Sequence, residues 1–143
     1  MNVAIRKVVH AVVLLSGMGA FGLMSQVSGQ TVRIGGDSLR ANGQLAQGFQ
    51  YTGSCPVSLK FGWGVIATQP TVISYTFQRS DGGHSSSSMN ANLSQANRSW
   101  PIYDDWQLGA NTPKFANFTG WVKIVIAAPN PVEGKIGFTI HCQ

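Results

Sequence analysis

Alternation of apolar and polar residues is the feature that most restricts the fold of this chain. Ile73, Tyr75 and Phe77 alternate with polar neighbours, and similar runs recur between clusters of turn-forming residues. Successive side chains of a β-strand point to opposite faces, so a period of two predicts strands with one buried face. After the N-terminal segment, no long stretch carries the i, i+3, i+4 spacing of an amphipathic helix. The chain is therefore predicted to be all-β.

The predicted strands are spaced as in a two-sheet structure. Residues that would share inward faces are Cys55, Val57, Leu59 and Phe61; Ile73, Tyr75 and Phe77; Met89 and Leu93; Trp100, Ile102, Trp106 and Leu108; and Ile136, Phe138, Ile140 and Cys142. An apolar strand over 121–127 and an edge strand over 31–34 complete the set. We predict an antiparallel β-sandwich of about seven strands over residues 49–143. Residues 30–48 form an N-terminal arm or edge strand, with 35–48 as a loop.

The N-terminal segment has the order of an export signal. Arg6 and Lys7 precede an apolar stretch that ends in small polar residues near Gly29, with no basic stop-transfer cluster. We predict a signal peptide over residues 1–29, a secreted (extracellular or periplasmic) protein, and no lasting membrane anchor after cleavage. The alternative is an uncleaved spanning helix. Such a helix needs about 20 strongly apolar residues, whereas glycines interrupt this stretch.

Cys55 and Cys142 are the only cysteines, and both lie in the part predicted to be exported. An oxidising compartment favours a disulfide between them. A redox pair would have a close Cys-x-x-Cys spacing, and a metal site would need further ligands nearby. The bridge is therefore predicted to be structural, joining the start of one strand to the end of another.

Charged residues are scarce, which limits the chemistry available. They make up 10% of the chain, against about a quarter in ordinary soluble domains. No run of Lys or Arg forms a phosphate-binding stripe, so we expect no nucleic-acid partner. His84 beside Ser85 could suggest a catalytic pair, and Asp104 beside Asp105 a calcium site. Adjacent loop residues rarely form a triad, and the two aspartates are more simply a solvated bend. We predict a protein that is not an enzyme and has no cofactor or metal.

Aromatic residues are the remaining candidates for ligand contacts: Trp63, Trp106, Trp121 and Tyr103. On a sandwich, exposed Trp and Tyr side chains can form a platform that stacks on sugar rings, whereas buried ones fill the core. Trp121 is the best candidate for exposure, because it lies on the strand face opposite to the apolar face that begins with Val122. Trp63 is the second candidate because glycines flank it. The core interpretation competes with the platform for each of these residues.

Assembly with other proteins is the other alternative. Trp121 and Val125 lie on the second face of an apolar strand, which either the domain itself or another subunit would cover. We therefore expect a secreted, non-catalytic binding or interaction module whose partner is a protein or a glycan. The alternatives are a carbohydrate-binding module and a subunit of a surface assembly or adhesin, and self-association stays open.

Several short motifs occur together in the second part of the chain. They are Cys55-Pro56, Tyr75-Thr76-Phe77 with Arg79-Ser80-Asp81-Gly82, Trp106-Gln107-Leu108-Gly109, Gly120-Trp121-Val122, Pro129-Asn130 and Phe138-Thr139-Ile140-His141-Cys142. Over residues 51–143 the chain resembles small secreted bacterial domains with an immunoglobulin-like or fibronectin-like β-sandwich and no assigned activity. The resemblance implies this fold and export, and it supplies no catalytic residue. In that bacterial setting, the sequons at Asn92, Asn97 and Asn117 are expected to be chance.

Overall fold

The computed structural model describes residues 29–85, 87–111 and 116–143. Its strands are β1 (Val32–Ala41), β2 (Gln44–Leu45), β3 (Gln50–Gly53), β4 (Val57–Ala67), β5 (Thr71–Arg79), β6 (Met89–Leu93), β7 (Ser99–Leu108), β8 (Asn117–Ala128) and β9 (Val132–Cys142), with one 3-10 turn at Gln47–Phe49. Apart from Gly29, the predicted signal peptide lies outside the described residues. Within the described ranges, no helix is long and apolar enough to cross a membrane.

The strands form two sheets, which confirms the all-β sandwich. The four-stranded sheet has the order β2-β1-β4-β7, and the five-stranded sheet has the order β3-β9-β8-β5-β6. Neighbouring strands are antiparallel except β3 and β9, which run parallel. The described residues contain more strands than predicted because β2 and β3 are too short to show an alternating pattern. The outer face of a sheet is the face turned away from the other sheet.

Residues 35–48 are not the loop that the sequence predicts. They form most of β1, all of β2 and the 3-10 turn, and β1 pairs with β4 along its length. The register shifts between Ile34 and Gly36. Val32 is buried before this irregularity, and Leu39 and Ala41 are buried after it. A bulge of this kind moves the inward positions from even to odd numbers, which removes the regular period from the sequence.

The core lies between the two sheets, on the inward faces of their central strands. β4 contributes Val57, Leu59, Phe61, Trp63, Val65 and Ala67, β8 contributes Val122, Ile124 and Ile126, and β9 contributes Ile136, Phe138 and Ile140. Each set alternates with residues on the outer face, as the sequence predicts for these strands. Trp121, Lys123 and Val125 therefore lie on the outer face of β8, where they are only half-buried.

Asn130 holds the β8–β9 turn against the opposite sheet. Its side-chain Oδ1 accepts a hydrogen bond from the Val32 N–H at 2.7 Å, and its Nδ2 donates to the Val32 carbonyl at 3.1 Å. The amide thus satisfies both main-chain groups of a residue at the start of β1. The two residues are 98 positions apart, so local sequence patterns do not predict this contact.

Cys55 and Cys142 form the predicted disulfide, with a sequence separation of 87 residues. Cys55 lies in the connection between β3 and β4, and Cys142 ends β9, so the bridge ties the end of β9 to the segment where the chain passes from one sheet to the other. Gly109 packs against it with a φ of 84°, and a Cβ there would lie 2.9 Å from the Cys55 Cβ. Both the backbone conformation and the close approach therefore require glycine.

Loss of the disulfide should destabilise the domain strongly. We expect the Cys55→Ala/Cys142→Ala variant to lose about 4 kcal/mol of unfolding free energy, because a closed loop of this length restricts the unfolded chain. Urea unfolding followed by circular dichroism measures the loss. Reduction of the unaltered protein should lower its stability by a similar amount. Equal stability of the oxidised and reduced proteins would contradict this prediction.

Candidate functional site

Trp63 is a core residue, so its candidacy for ligand contact at the surface is wrong and the competing core interpretation is right. Its side chain is 1% exposed, and its ring stacks on Phe77 with centroids 5.5 Å apart. Within the described ranges its buried indole Nε1 has no hydrogen-bond partner. Gly62 and Gly64 occupy outward positions of β4. Trp63 lies between them and therefore points inward, like the other odd-numbered residues of this strand. It therefore cannot contact a ligand at the surface.

Trp106 lies on the inward side of β7 at the margin of the core. Its ring meets that of Phe138 edge-on, with centroids 5.8 Å apart, and the Arg79 guanidinium lies 5.1 Å from its centroid. It also lines an apolar groove between the sheets with Leu108 and Phe118. Trp106 is thus engaged mainly in packing between the sheets.

Asp104 and Asp105 do not form the predicted solvated bend. β7 continues through both residues in unbroken register with β4. Asp104 takes an inward position, and its carboxylate accepts two hydrogen bonds from Arg79, at 3.1 and 3.0 Å. Arg79 also donates to the Asp105 carbonyl at 2.8 Å. Because Arg79 ends β5, this ion pair connects the two sheets and compensates the charge of an inward carboxylate.

Residues predicted from their chemistry make local contacts instead of one site. His84 Nδ1 lies 3.2 Å from the Gly82 carbonyl, and the Ser85 hydroxyl accepts from the Phe77 N–H at 2.8 Å. Burial raises the pKa of the Tyr75 phenol above its ordinary value, because an apolar environment disfavours the phenolate. In the part of the chain that is described, no three His, Cys, Asp or Glu side chains form a group that could hold a metal ion.

Tyr103 lies on the outer face of the four-stranded sheet and is 50% exposed. It is directly opposite Gly62, and a Cβ on that glycine would lie 2.9 Å from the tyrosine ring. The ring therefore covers the glycine backbone. Lys60 Nζ lies 5.5 Å from the ring centroid and 3.6 Å from the Asp105 carboxylate. The exposed ring and its neighbouring charge thus already have partners within the sheet.

Trp121 lies on the outer face of the five-stranded sheet and is partly exposed, as its parity predicts. Its directly opposite residue is Gly137. If Gly137 carried a Cβ, the one described atom within 4 Å of it would be the Gly120 carbonyl oxygen, at a distance of 3.9 Å. The indole thus leaves the glycine uncovered, in contrast to Tyr103. Lys135 Nζ lies 5.0 Å from the indole centroid.

Polar side chains surround this uncovered position. Thr119 is directly opposite Thr139, and their hydroxyls are 3.3 Å apart. These two residues line a depression of about 250 Å³ together with Gln50 and Gly137. We call Trp121, Lys135, Gly137, Thr119 and Thr139 the Trp121 site.

Only Trp121 among these residues stands out in the sequence as a binding candidate. The alternation of β9 places Lys135, Gly137 and Thr139 on one outward face. Which residues of β8 they lie beside depends on the β8–β9 register, which the turn between the strands determines. A hairpin prediction with the correct register would have found them.

The four candidate aromatics do not form one platform. Trp63 is in the core, Trp106 is between the sheets, and Tyr103 and Trp121 lie on the outer faces of different sheets. The apolar patch proposed for assembly is also interrupted. Lys123 lies between Trp121 and Val125 on the outer face, and its Nζ is 3.1 Å from the Glu133 carboxylate.

Comparison with known proteins gives no family for the chain. No protein-family model matches it, and a search of curated proteins finds no match. The resemblance to secreted bacterial sandwich domains therefore stays a prediction.

The Arg79–Asp104 ion pair should stabilise the sandwich more than its exposed neighbour does. We expect Asp104→Ala to lower the unfolding free energy by about 2 kcal/mol, because it leaves a partly buried guanidinium without its carboxylate. The matched variant is Asp105→Ala, whose exposed ion pair with Lys60 should contribute less than about 0.5 kcal/mol. Urea unfolding of both variants makes the comparison. Equal losses of unfolding free energy would show that the Arg79–Asp104 ion pair stabilises the domain no more than the exposed Lys60–Asp105 pair does.

The tryptophans should differ in their access to a quencher. We expect Trp121→Phe to lower the acrylamide quenching constant of the total fluorescence, because it removes a partly exposed indole. Trp63→Phe should raise that constant, because it removes a shielded one. Circular dichroism spectra confirm that both variants are folded. A fall in the constant for Trp63→Phe would be inconsistent with its place in the core.

Proposed function

We propose that the protein is a non-catalytic binding module that acts outside the cytoplasm. The observation that carries this proposal is the Trp121 site, where a partly exposed indole stands beside an uncovered glycine and hydroxyl groups. An aromatic ring that leaves its opposite glycine uncovered can contact a ligand without disturbing the sheet. The ligand surface is the outer face of β8 and β9.

Two further features support action outside the cytoplasm. The N-terminal segment has the order of a secretory signal. The disulfide between Cys55 and Cys142 is a bond that forms and persists in oxidising compartments. A domain held by such a bond suits a protein that works after export.

Carbohydrate binding is the second candidate function, and the Trp121 site favours it specifically. Indole rings stack on the apolar faces of sugars, and threonine hydroxyls can donate and accept hydrogen bonds. A subunit of a surface assembly has less support, because Lys123 and Glu133 interrupt the apolar patch that would form its interface.

Filling the uncovered position should abolish binding. We expect Gly137→Val to reduce retention of the protein on envelope and exopolymer fractions of the producing cells by at least fivefold. The substitution should leave the fold intact, since a Cβ there has no contact closer than 3.9 Å. Co-sedimentation of the purified protein with each fraction measures retention.

The matched control is Gly36→Val on the four-stranded sheet. A Cβ on Gly36 would have no atom within 4 Å, and the residue lies on a different sheet from the Trp121 site. This variant should be retained as well as the unaltered protein. If both variants are retained equally, or if the unaltered protein is not retained, the proposed function is wrong.

A further inference from the structure

The charges at the Trp121 site indicate the chemistry of its ligand. Lys135 is directly opposite Lys123 on the outer face of the β8–β9 hairpin. Like charges directly opposite one another destabilise a sheet. Glu133 neutralises Lys123, with its two carboxylate oxygens 3.2 and 3.1 Å from Nζ. Among the residues that the structure describes, Lys135 has no such carboxylate, and its ammonium group lies by the indole of Trp121.

The outer face of the other sheet provides an internal comparison. There, an aromatic residue and a lysine also lie together, but Tyr103 covers Gly62 and Lys60 has Asp105 as its partner. At the Trp121 site the lysine also lies over the aromatic ring, but two other positions are open. Gly137 has no ring over it, and among the described residues Lys135 has no acidic partner. On the four-stranded sheet the glycine is covered and the lysine has a carboxylate partner, whereas on the five-stranded sheet neither is the case among the described residues.

The open positions differ in the groups they would accept. The indole and the backbone of Gly137 offer a flat apolar surface for one face of a ring. The hydroxyls of Thr119 and Thr139 and the amide of Gln50, which line the adjoining depression, offer hydrogen-bond donors and acceptors. The Lys135 ammonium group offers a positive charge over part of the indole ring, 5.0 Å from its centroid.

From this combination we propose that the Trp121 site binds an acidic pyranose, a sugar ring that carries a carboxylate, within an anionic polysaccharide. The ring stacks on Trp121 above Gly137, its hydroxyls contact the two threonines, and its carboxylate pairs with Lys135. This assignment rests on the proposed function, since it names the ligand class of the same site. The adjoining depression of about 250 Å³, which Gly137 and the two threonines line, suits the hydroxyl side of one sugar ring better than the broad surface of a folded protein partner.

The test compares oligouronates with their methyl esters, which keep the ring and lose the charge. The full chain, expressed under oxidising conditions, is titrated with oligomers from pectin and alginate while tryptophan fluorescence is recorded. We expect the acids to bind at least tenfold more tightly than the esters, and we expect the binding to weaken with added salt. Trp121→Ala should abolish this binding.

Lysine variants separate the charge contribution from general attraction to a basic protein. Lys135→Gln should weaken acid binding about tenfold and bring it near that of the ester. Lys60→Gln, which removes a lysine beside Tyr103, should leave it unchanged. The proposal is overturned if acids and esters bind equally, if both lysine variants weaken binding alike, or if no oligouronate binds. Equal binding of polyglutamate would also overturn it, because the site would then recognise charge and not a sugar.

These outcomes are separate from the fate of the proposed function. If Gly137→Val loses retention on envelope fractions while no oligouronate binds, the site is a binding site and the acidic sugar is the wrong ligand. If Gly137→Val is retained as well as Gly36→Val, the binding face itself is wrong.

Discussion

Burial of the inward side chains of β4 is the interaction on which the rest of the structure depends. Phe61 and Trp63 are its largest residues, and they contact Phe138 and Phe77 of the opposite sheet, with ring centroids 5.2 and 5.5 Å apart. β4 also lies between β1 and β7, so its position sets the register of both neighbours. The residues on the outer face of the four-stranded sheet follow from that register.

Three further contacts hold strand ends in place around this core, and two of them directly connect the two sheets. They are the disulfide, the Arg79–Asp104 ion pair and the pairing of Asn130 with the Val32 backbone. Each contact involves a residue at the end of a strand: Cys142 ends β9, Arg79 ends β5 and Val32 begins β1. Apolar packing alone is not directional. These polar and covalent contacts therefore help to select one alignment of the two sheets.

The sequence predicts those features that depend on local alternation or on composition. The inward faces of β4, β8 and β9 follow from alternation, and the disulfide follows from two cysteines in a chain that is predicted to be exported. The glycines that flank Trp63 make it a candidate for exposure, although its place in the alternation of β4 matches the core. The inward carboxylate of Asp104 was missed because its partner Arg79 is distant in sequence. The Trp121 site depends on the register of two strands, which single-strand periodicity does not contain.

The hydrogen bond from Arg79 to the Asp105 carbonyl has a second consequence, which concerns contact between copies of the chain. β7 is an edge strand, and its free main-chain groups could otherwise pair with a strand from another molecule. The guanidinium already occupies one carbonyl of this edge, at 2.8 Å, and Pro101 has no N–H to donate. An incoming strand would thus meet an interrupted ladder. The same arginine that holds the sheets together also protects this edge against aggregation.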